Sequence, residues 1–345
     1  MTTLRDIAEL IRAPAALSVP GDAVAGAAAA GTLGRGTTGL SAAAVCLYWA
    51  GMAANDWADR DLDAAERPRR PIPSGRVTAG TALRTALGLS AAGLALAGLA
   101  GGRRALAVAV PLTAAVWCYD LKLKATAAGP AAMAACRGLD VLLGASANPS
   151  TRANPSTRTN PSPRATPGAS QARWQRALVP ALAVAAHTYT VTALSRREVT
   201  GGGRLLPGVT LASTAGVAIA ASGWARRPAE GAVPWRTARG LAAWYAASYG
   251  AAQARAMAAP DADRMRAAVG TGITCLPALQ GALIARSAGL GTSAAGTAGL
   301  ISTVSPVGTV STAGTVSTVG ILTAAAAVAA CAPLGHVLAR WLSPT

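Results

Sequence analysis

Residues 38–75 read TGLSAAAVCLYWAGMAANDWADRDLDAAERPRRPIPSG, an apolar stretch that ends in a dense group of acidic residues. The first part, up to Ala54, carries no charged side chain and suits a helix that crosses a bilayer, which needs about 20 apolar residues. The second part holds five of the fourteen carboxylates of the chain, between Asp56 and Glu66. The stretch therefore predicts a membrane helix whose acidic end lies at the mouth of a helix bundle.

Apolar segments of this kind recur along the 345 residues. The chain is 52% hydrophobic and 13% charged, whereas soluble domains carry about 25% charged residues. It has no Phe, and its small residues favour close packing of helices in lipid. We identify ten candidate membrane segments, at residues 14–33, 38–56, 80–100, 104–121, 127–147, 175–194, 204–223, 237–257, 265–286 and 319–341. Because the period-two alternation of a β-barrel is absent, we predict an all-α, polytopic transmembrane helix bundle.

Two polar or repetitive stretches divide the chain. Residues 148–173 are rich in Pro, Asn and Ser, a composition typical of a disordered loop. Residues 291–318 repeat short Thr-Val-Ser and Thr-Ala-Gly units, which indicates a low-complexity linker or a weakly helical extension. We therefore predict a core over residues 1–290 and a C-terminal membrane helix within 319–345.

The net charge of +17 does not indicate a nucleic-acid partner. The basic residues form short runs between apolar segments, as they do beside membrane helices, and no aromatic residues alternate with them. A slight excess of Lys and Arg falls on the face that holds the N-terminus, and the composition rich in Ala and Arg is typical of GC-rich genomes. We expect a multi-pass protein of a bacterial cytoplasmic membrane, with its acidic end facing the cytoplasm.

Continuing the helix of the opening stretch by two turns places Asn55, Asp56, Asp59 and Asp63 on one face, while Asp61 points elsewhere. Carboxylates on one face repel each other unless a cation lies between them. Their oxygens suit Mg²⁺, which usually shares its ligands with water and a substrate phosphate. The alternative interpretation is a solvated charged loop between two helices.

The pattern N-D-x-x-D-x-x-x-D at the end of a second membrane helix, followed by Arg-Pro-Ile-Pro-Ser-Gly at residues 70–75, resembles the UbiA superfamily of intramembrane prenyltransferases. Residues 119–124 and 11–22 are also similar to this family. The resemblance implies a nine-helix core and Mg²⁺-dependent transfer of an isoprenyl group from an allylic prenyl diphosphate. The acceptor would be a lipophilic, aromatic or polyol molecule in the membrane, surrounded by membrane lipid.

The pattern and the resemblance together give three sets of candidate residues. The catalytic candidates are Asp56, Asp59, Lys122 and Arg137. The candidate metal ligands are Asn55, Asp56, Asp59, Asp63 and Glu198. The candidate diphosphate-binding residues are Arg67, Arg70, Lys122, Lys124, Arg196 and Arg197.

The region after the sixth segment departs from the family pattern. The second acidic motif of the family is replaced here by Ser-Arg-Arg-Glu at residues 195–198, so a second Mg²⁺ site is in doubt. Asp261 and Asp263 are possible substitutes, but helix capping or loop solvation is the favoured interpretation of both.

Three polar residues lie inside apolar segments. Arg137 and Asp140 are three residues apart and are expected either to line the pocket or to pair with each other. His187 is expected to be a packing residue, with a role as a base as the alternative.

Two other functions remain open at this point. A UbiA-type terpene cyclase would form the same allylic cation and close it on its own tail. A membrane transporter or lipid-binding protein would need no such chemistry, but it commonly shows internal repeats, and we find none that relates the two halves of the chain.

Overall fold

The computed structural model describes residues 2–148, 167–224, 233–299 and the isolated residues 325, 326 and 328. Within these residues the chain is helical throughout and contains no strand, so the prediction of an all-α bundle is confirmed. The α-helices are α1 (Leu4–Leu10), α2 (Val19–Ala30), α3 (Arg35–Ala58), α4 (Arg60–Glu66), α5 (Ala79–Cys118), α6 (Gly129–Ala145), α7 (Pro167–Ser195), α8 (Leu205–Ser222), α9 (Val233–Ala258) and α10 (Ala262–Gly299). A 3₁₀ turn at Ala13–Ser18 precedes α2, and a π turn at Tyr119–Leu123 follows α5.

Five of the described helices are long and apolar enough to cross a membrane. They lie at Arg35–Ala58, Ala79–Leu123, Gln171–Ser195, Leu205–Ser222 and Ala262–Leu290. Leucines and isoleucines on several of these helices, such as Leu182 and Ile219, are exposed on the outside of the bundle. An apolar outer surface of this kind is stable only in lipid, and the chain is an integral membrane protein.

One predicted membrane segment has different bounds in the structure, and two others meet at a glycine. The segment predicted at residues 14–33 is a 3₁₀ turn followed by α2, which has only 12 residues. Pro20 in the first turn of α2 has no amide hydrogen, so a regular helix does not extend backwards through it. The segments predicted at 80–100 and 104–121 are two helices within α5 that meet at Gly102, and Nε1 of Trp117 donates to the hydroxyl of Ser90 at 3.1 Å from one to the other. Gly102 has φ 63° and ψ −150°, a conformation that side chains disfavour and glycine allows.

Some residues at the edges of the predicted loop and linker are helical. Helix α7 begins at Pro167, so residues 167–173 of the predicted loop are helical, and Pro is well suited to a first helical position. Residues 149–166 lie outside the described residues. Helix α10 continues to Gly299, which makes the start of the predicted 291–318 linker a helical extension. The predicted helix at 319–341 lies almost entirely outside the described residues.

Helix α2 is short, but it is the central element of the bundle. It contacts α3, α6, α7 and α10, while α5 packs along α3 and α9 packs between α8 and α10. The core around it is built mainly from alanines that are fully buried, with Leu40, Leu143 and Leu279 as larger members. Small side chains allow each helix to approach several neighbours at once.

Glycines bring α2 and α6 into backbone contact. A Cβ atom added to Gly144 would lie 1.9 Å from the carbonyl oxygen of Ala23, and one added to Gly26 would lie 1.7 Å from that of Val141. Neither carbonyl is able to move, because each belongs to a helix. The two glycines therefore fix how close Asp22 on α2 comes to the polar residues of α6.

We predict that Gly144→Ala strongly destabilises the bundle, because the new methyl group must push α2 away from α6. Overpacking of this kind costs about 1–3 kcal/mol or more. Thermal unfolding in detergent would measure the effect, with Gly88→Ala as the matched control, since a Cβ atom at Gly88 meets no other atom within 4 Å. Equal unfolding temperatures for the two variants would contradict the close contact between the helices.

Candidate active site

The acidic residues lie where α3 gives way to α4. The amide of Asp59 donates to the carbonyl of Asn55 at 2.9 Å, and the amide of Asp63 donates to that of Asp59 at 2.7 Å. The i to i−4 hydrogen bonds of the helix thus continue across the junction, and side chains four residues apart stay on one side. Asp56 and Asp63 are buried, whereas the side chain of Asp61 is 87% exposed.

Arg70 joins the two buried carboxylates. Its Nη1 atom lies 2.6 Å from Oδ2 of Asp63 and 3.3 Å from Oδ1 of Asp56, and Arg67 lies 3.6 Å from the other oxygen of Asp63. The hydroxyl of Ser74 donates to the carbonyl of Arg70 at 2.7 Å and holds the turn that follows. The sequence candidates Arg67 and Arg70 are therefore at the acidic residues.

Arg12 is a second cation at Asp56, and it was not among the sequence candidates. Its Nη2 atom lies 2.9 Å from Oδ1 of Asp56, 44 positions along the chain. Arg12 has φ 48° and ψ 51°, an uncommon conformation for a residue with a side chain. The available signal was its place in residues 11–22, the stretch that resembles the first helix of the UbiA family.

The N-terminal helix is fastened next to this site by Arg76. The guanidinium group of Arg76 contacts Asp6 at 2.9 Å and Glu9 at 2.7 Å. Asp6 also accepts hydrogen bonds from the backbone and hydroxyl of Thr3 at the start of α1. Hydrogen bonds from Thr3 and then the contact with Arg76 lower the pKa of Asp6 to about 2. These contacts hold Arg12 close to Asp56.

Lys124 is the cation at the remaining members of the acidic face. Its Nζ atom lies 2.6 Å from Oδ1 of Asp59 and 3.1 Å from Oδ1 of Asn55. Lys122 is exposed and makes no contact with these residues. The π turn at Tyr119–Leu123 is wider than an α-turn and changes which residues face the bundle, so the structure brings Lys124, and not Lys122, to the site.

Asp120, on the same π turn, is buried beneath the acidic residues. A Cβ atom added to Gly51 would lie 3.2 Å from its Oδ2 atom, which places the carboxyl group against α3 about one turn below Asp56. Asp120 lies within residues 119–124, which are similar to the UbiA family, but it was not among the sequence candidates. A carboxyl group flanked by lysines reads as a surface residue in the sequence, and only the π turn directs it inward.

Arg196 supports the loop that carries Lys124. Its guanidinium group donates to the backbone carbonyls of Lys124, at 2.9 Å, and of Thr126. Arg197 is exposed. The backbone carbonyl of Glu198 accepts a hydrogen bond from Arg266 at 3.3 Å. Burial raises the pKa of the Glu198 carboxyl group. No hydrogen bond or ion pair in the described part of the chain connects Glu198 with Asp56 or Asp59.

Asp261 and Asp263 form local contacts at the start of α10. Asp261 accepts from the amide and the side chain of Arg264, and Asp263 pairs with Arg266 at 3.0 Å. The hydrogen bond from the Arg264 amide is the main cause that lowers the pKa of Asp261. The two residues therefore have the geometry of a helix cap and its neighbouring ion pairs.

Pairing with Asp140 was one of our two expectations for Arg137, but the structure gives Arg137 a different partner. Its Nε atom lies 2.9 Å from Oδ2 of Asp22 on α2, because the glycine contacts bring that helix against α6. His187 contacts the hydroxyl of Tyr245 at 3.0 Å and packs edge-on against it, as expected for a residue of the core.

The oxygen atoms of the acidic face fit a magnesium ion that also binds a substrate phosphate. No three His, Cys, Asp or Glu side chains of the described residues are grouped closely enough to hold a metal by themselves. Mg²⁺ does not need such a group, since it usually takes one or two carboxylates and completes its shell with water and phosphate. The Oδ1 atom of Asp63 is buried without a hydrogen-bond partner, and Asp56 shares Arg70 with it.

The sequence model of the UbiA prenyltransferase family matches residues 18–199, more than half of the chain. The chain belongs to the UbiA prenyltransferase family. The matched region contains the acidic face, Arg70, Lys124 and Arg137.

Parts of the chain are similar to UbiA relatives described as digeranylgeranylglyceryl phosphate synthases. That of Ignicoccus hospitalis is 37% identical over 123 residues, 36% of this chain and 40% of its own length. That of Methanopyrus kandleri is 42% identical over 85 residues, 25% of this chain and 30% of its own length. The matched segments thus span less than half of these relatives.

Solved structures show the same UbiA fold. A structure described as giving mechanistic insights into digeranylgeranylglyceryl phosphate synthase in membranes superposes with a TM-score of 0.58 at 15% identity, covering 82% of this chain and 98% of its own. A UbiA homologue from Aeropyrum pernix K1 superposes with a TM-score of 0.51 at 19% identity, covering 78% and 96%.

We predict that acid loosens the N-terminal helix of this UbiA protein. Because the pKa of Asp6 is lower in the folded chain than its ordinary value of 3.8, its contribution is complete above about pH 5 and disappears as the pH falls toward 2. Hydrogen exchange of residues 3–12, corrected for the intrinsic effect of pH, should show protection that declines over this range. In Asp6→Ala the protection should be low at every pH. Equal wild-type protection at pH 3 and pH 6 would contradict the role of Asp6.

Proposed function

We propose that this UbiA family member transfers an isoprenyl group from an allylic isoprenyl diphosphate to a lipophilic acceptor within the membrane, in a reaction that requires Mg²⁺. The observation that carries the proposal is the arrangement at the end of α3. Three carboxylates, those of Asp56, Asp59 and Asp63, are each joined to a cation from another part of the chain, within 3 Å in each case. The site is polar and charged, and the bundle beneath it is apolar.

This arrangement suits an exchange of partners with a metal diphosphate. Without substrate, the carboxylates and the cations neutralise each other. With a magnesium diphosphate bound, the three carboxylates would hold the metal, and Arg70, Lys124 and Arg12 would bind phosphate oxygens. The total charge of the site then changes little, so neither set of side chains is left buried without a partner.

The residues present account for the main demands of the reaction. Asp56, Asp59 and Asp63, with the amide oxygen of Asn55, would hold the magnesium ion, which when bound neutralises charge on the leaving diphosphate. Arg70 and Lys124 bind phosphate oxygens and stabilise the negative charge that develops as the carbon–oxygen bond of the donor breaks. The alanine and leucine side chains of the bundle exclude water from the allylic cation. The acceptor then bonds to the allylic carbon and gives up a proton to the diphosphate, which leaves.

The names of the relatives suggest the first substrates to try. Digeranylgeranylglyceryl phosphate contains two geranylgeranyl groups on a glyceryl phosphate, so geranylgeranyl diphosphate and a monoalkylated glyceryl phosphate are a reasonable starting pair. We further propose that the site faces the cytoplasm of a bacterial membrane, on the basis of the Lys and Arg excess described above.

We predict that the purified protein releases diphosphate from an isoprenyl diphosphate in the presence of Mg²⁺, and that EDTA stops the release. The assay should include donors of several chain lengths, and a membrane lipid extract as a source of acceptor. Asp56→Ala should lower the rate by at least about 100-fold, because a ligand of the magnesium ion that neutralises the leaving group is lost. Asp61→Ala is the matched control and should stay within about twofold, since Asp61 is exposed. Products formed from the donor alone would indicate a terpene cyclase instead.

The two lysines after α5 provide a second test. We predict that Lys124→Met lowers kcat/KM for the donor by about 100-fold, the usual cost of one lost contact to developing charge. Lys122→Met should change it by less than about twofold, because Lys122 points away from the acidic face. Steady-state kinetics with varied donor would distinguish them. Equal losses in both variants would mean that the π turn does not orient the lysines as the structure has them.

A further inference from the structure

A second group of polar residues lies inside the bundle, apart from the acidic face. It consists of Asp22 on α2, Arg137 and Asp140 on α6, and Gln280 on α10, which we call the Arg137 cluster. All four side chains are buried, and Asp22 has no exposed surface at all. Ionisable groups inside a membrane bundle are costly, so each needs a partner or a function.

Asp22 is the member of the cluster whose charge is paired, by an ion pair at Oδ2, which accepts no well-aligned hydrogen bond, and by a hydrogen bond at Oδ1. The Nε atom of Arg137 lies 2.9 Å from Oδ2 of Asp22, and Nε2 of Gln280 donates to Oδ1 of Asp22 at 2.6 Å. The amide group of Gln280 also donates to the carbonyl of Ser18 at 2.8 Å. These contacts tie α2, α6 and α10 together, and they account for a structural role of Asp22.

The other members of the cluster have unused hydrogen-bonding capacity. Oδ1 of Asp140 and Oε1 of Gln280 are buried and have no hydrogen-bond partner among the described residues. Asp140 is only 7% exposed, and Gln280 is 1% exposed. Arg137 carries five N–H donors, of which Nε is paired with Asp22 and Nη2 makes a long contact of 3.5 Å to Ser18. Acceptors and donors are thus both available at one place.

A purely structural role does not explain Asp140. A buried polar atom without a partner costs about 1–3 kcal/mol, and one guanidinium group cannot neutralise two carboxylates. An apolar residue of similar size at position 140 would pack on α6 without either cost. The cost is understandable if a bound molecule supplies the missing hydrogen-bond donor during function.

The cluster lies deeper in the bundle than the acidic face, and α6 connects the two. Helix α6 begins at Gly129, against the backbone of Lys124, and Arg137 follows eight residues later, roughly 12 Å along the axis. That depth is about the length of a small headgroup placed below a diphosphate.

We propose that the Arg137 cluster binds the hydroxyl groups of the acceptor substrate. This inference rests on the proposed prenyl transfer and names the class of acceptor. A hydroxyl group would donate to Oδ1 of Asp140 or Oε1 of Gln280 and accept from a free N–H of Arg137. The apolar tail of the isoprenyl donor offers neither kind of group. The site therefore selects a hydroxylated, polyol-type acceptor over a purely aromatic or hydrocarbon one.

The kinetic test compares variants of Asp140 with a variant of its paired neighbour. Asp140→Leu should raise the acceptor KM at least tenfold, leave the donor KM within about twofold, and not lower the unfolding temperature. Asp140→Asn keeps a carbonyl oxygen and should restore part of the acceptor affinity. Asp22→Leu is the matched control and should lower the unfolding temperature, because it leaves Arg137 buried without its partner. An unchanged acceptor KM in Asp140→Leu would overturn the proposal and leave a bound water as the partner of Asp140.

A binding test does not depend on turnover. The probes are a monoalkylglycerol phosphate and the same lipid with its free hydroxyl methylated. The free hydroxyl form should raise the unfolding temperature of the wild-type protein more than the methylated form does, and Asp140→Leu should abolish that difference. Equal shifts with both probes would refute hydroxyl recognition. A hydroxyl-dependent shift in a wild-type protein that releases no diphosphate from any donor would instead retain the site and reject the prenyl transfer.

Discussion

The ion pairs between the carboxylates of α3 and α4 and cations from three other parts of the chain are the constraint on which the site depends. Each carboxylate sits at the end of an apolar helix, where an unpaired charge is costly. Arg12 comes from the N-terminal segment, Arg70 from the turn after α4, and Lys124 from the end of the π turn. Because all three must reach the same face, these pairs decide where the N-terminal segment, the loop after α4 and the start of α6 lie.

The same pairs also allow an exchange of partners, because the cations are more exposed than the carboxylates of Asp56 and Asp63 that they hold. The side chains of Arg12, Arg70 and Lys124 are between 22% and 40% exposed, so solvent screens their attraction to the carboxylates. A weak pair separates easily when a better partner arrives. A metal ion for the carboxylates and phosphate oxygens for the cations are such partners, and the same residues then serve both the resting and the loaded site.

Local periodicity made the bundle and the acidic face predictable from sequence, and longer-range geometry set the limit. Spacings of three and four residues place Asp56 and Asp63 on one side of any helix, and the structure joins them through Arg70. The choice between Lys122 and Lys124 depends on a π turn, which has no simple sequence signature. Pairing with Asp140, three residues away, was one of two expectations for Arg137, but its partner is 115 positions earlier, since glycine contacts bring α2 and its carboxylate against α6. Periodicity carries no information about such contacts.

The two polar layers of the bundle differ in a way that bears on their roles. At the acidic face, all three carboxylates of the shared face have a cation, so a ligand there must exchange partners. In the Arg137 cluster, Asp22 is paired and Asp140 is not, so a ligand adds hydrogen bonds without breaking any. Exchange suits a highly charged molecule that brings its own counter-ion, and addition suits a neutral group with O–H donors. The acidic face would thus favour a donor diphosphate, and the Arg137 cluster a hydroxylated acceptor, because their side chains differ in whether they already have partners. This difference does not depend on the shape of either substrate. Helix α6 begins against the backbone of Lys124 and carries Arg137 about two turns later. Because this one helix connects both polar layers, it sets how deep one substrate lies relative to the other.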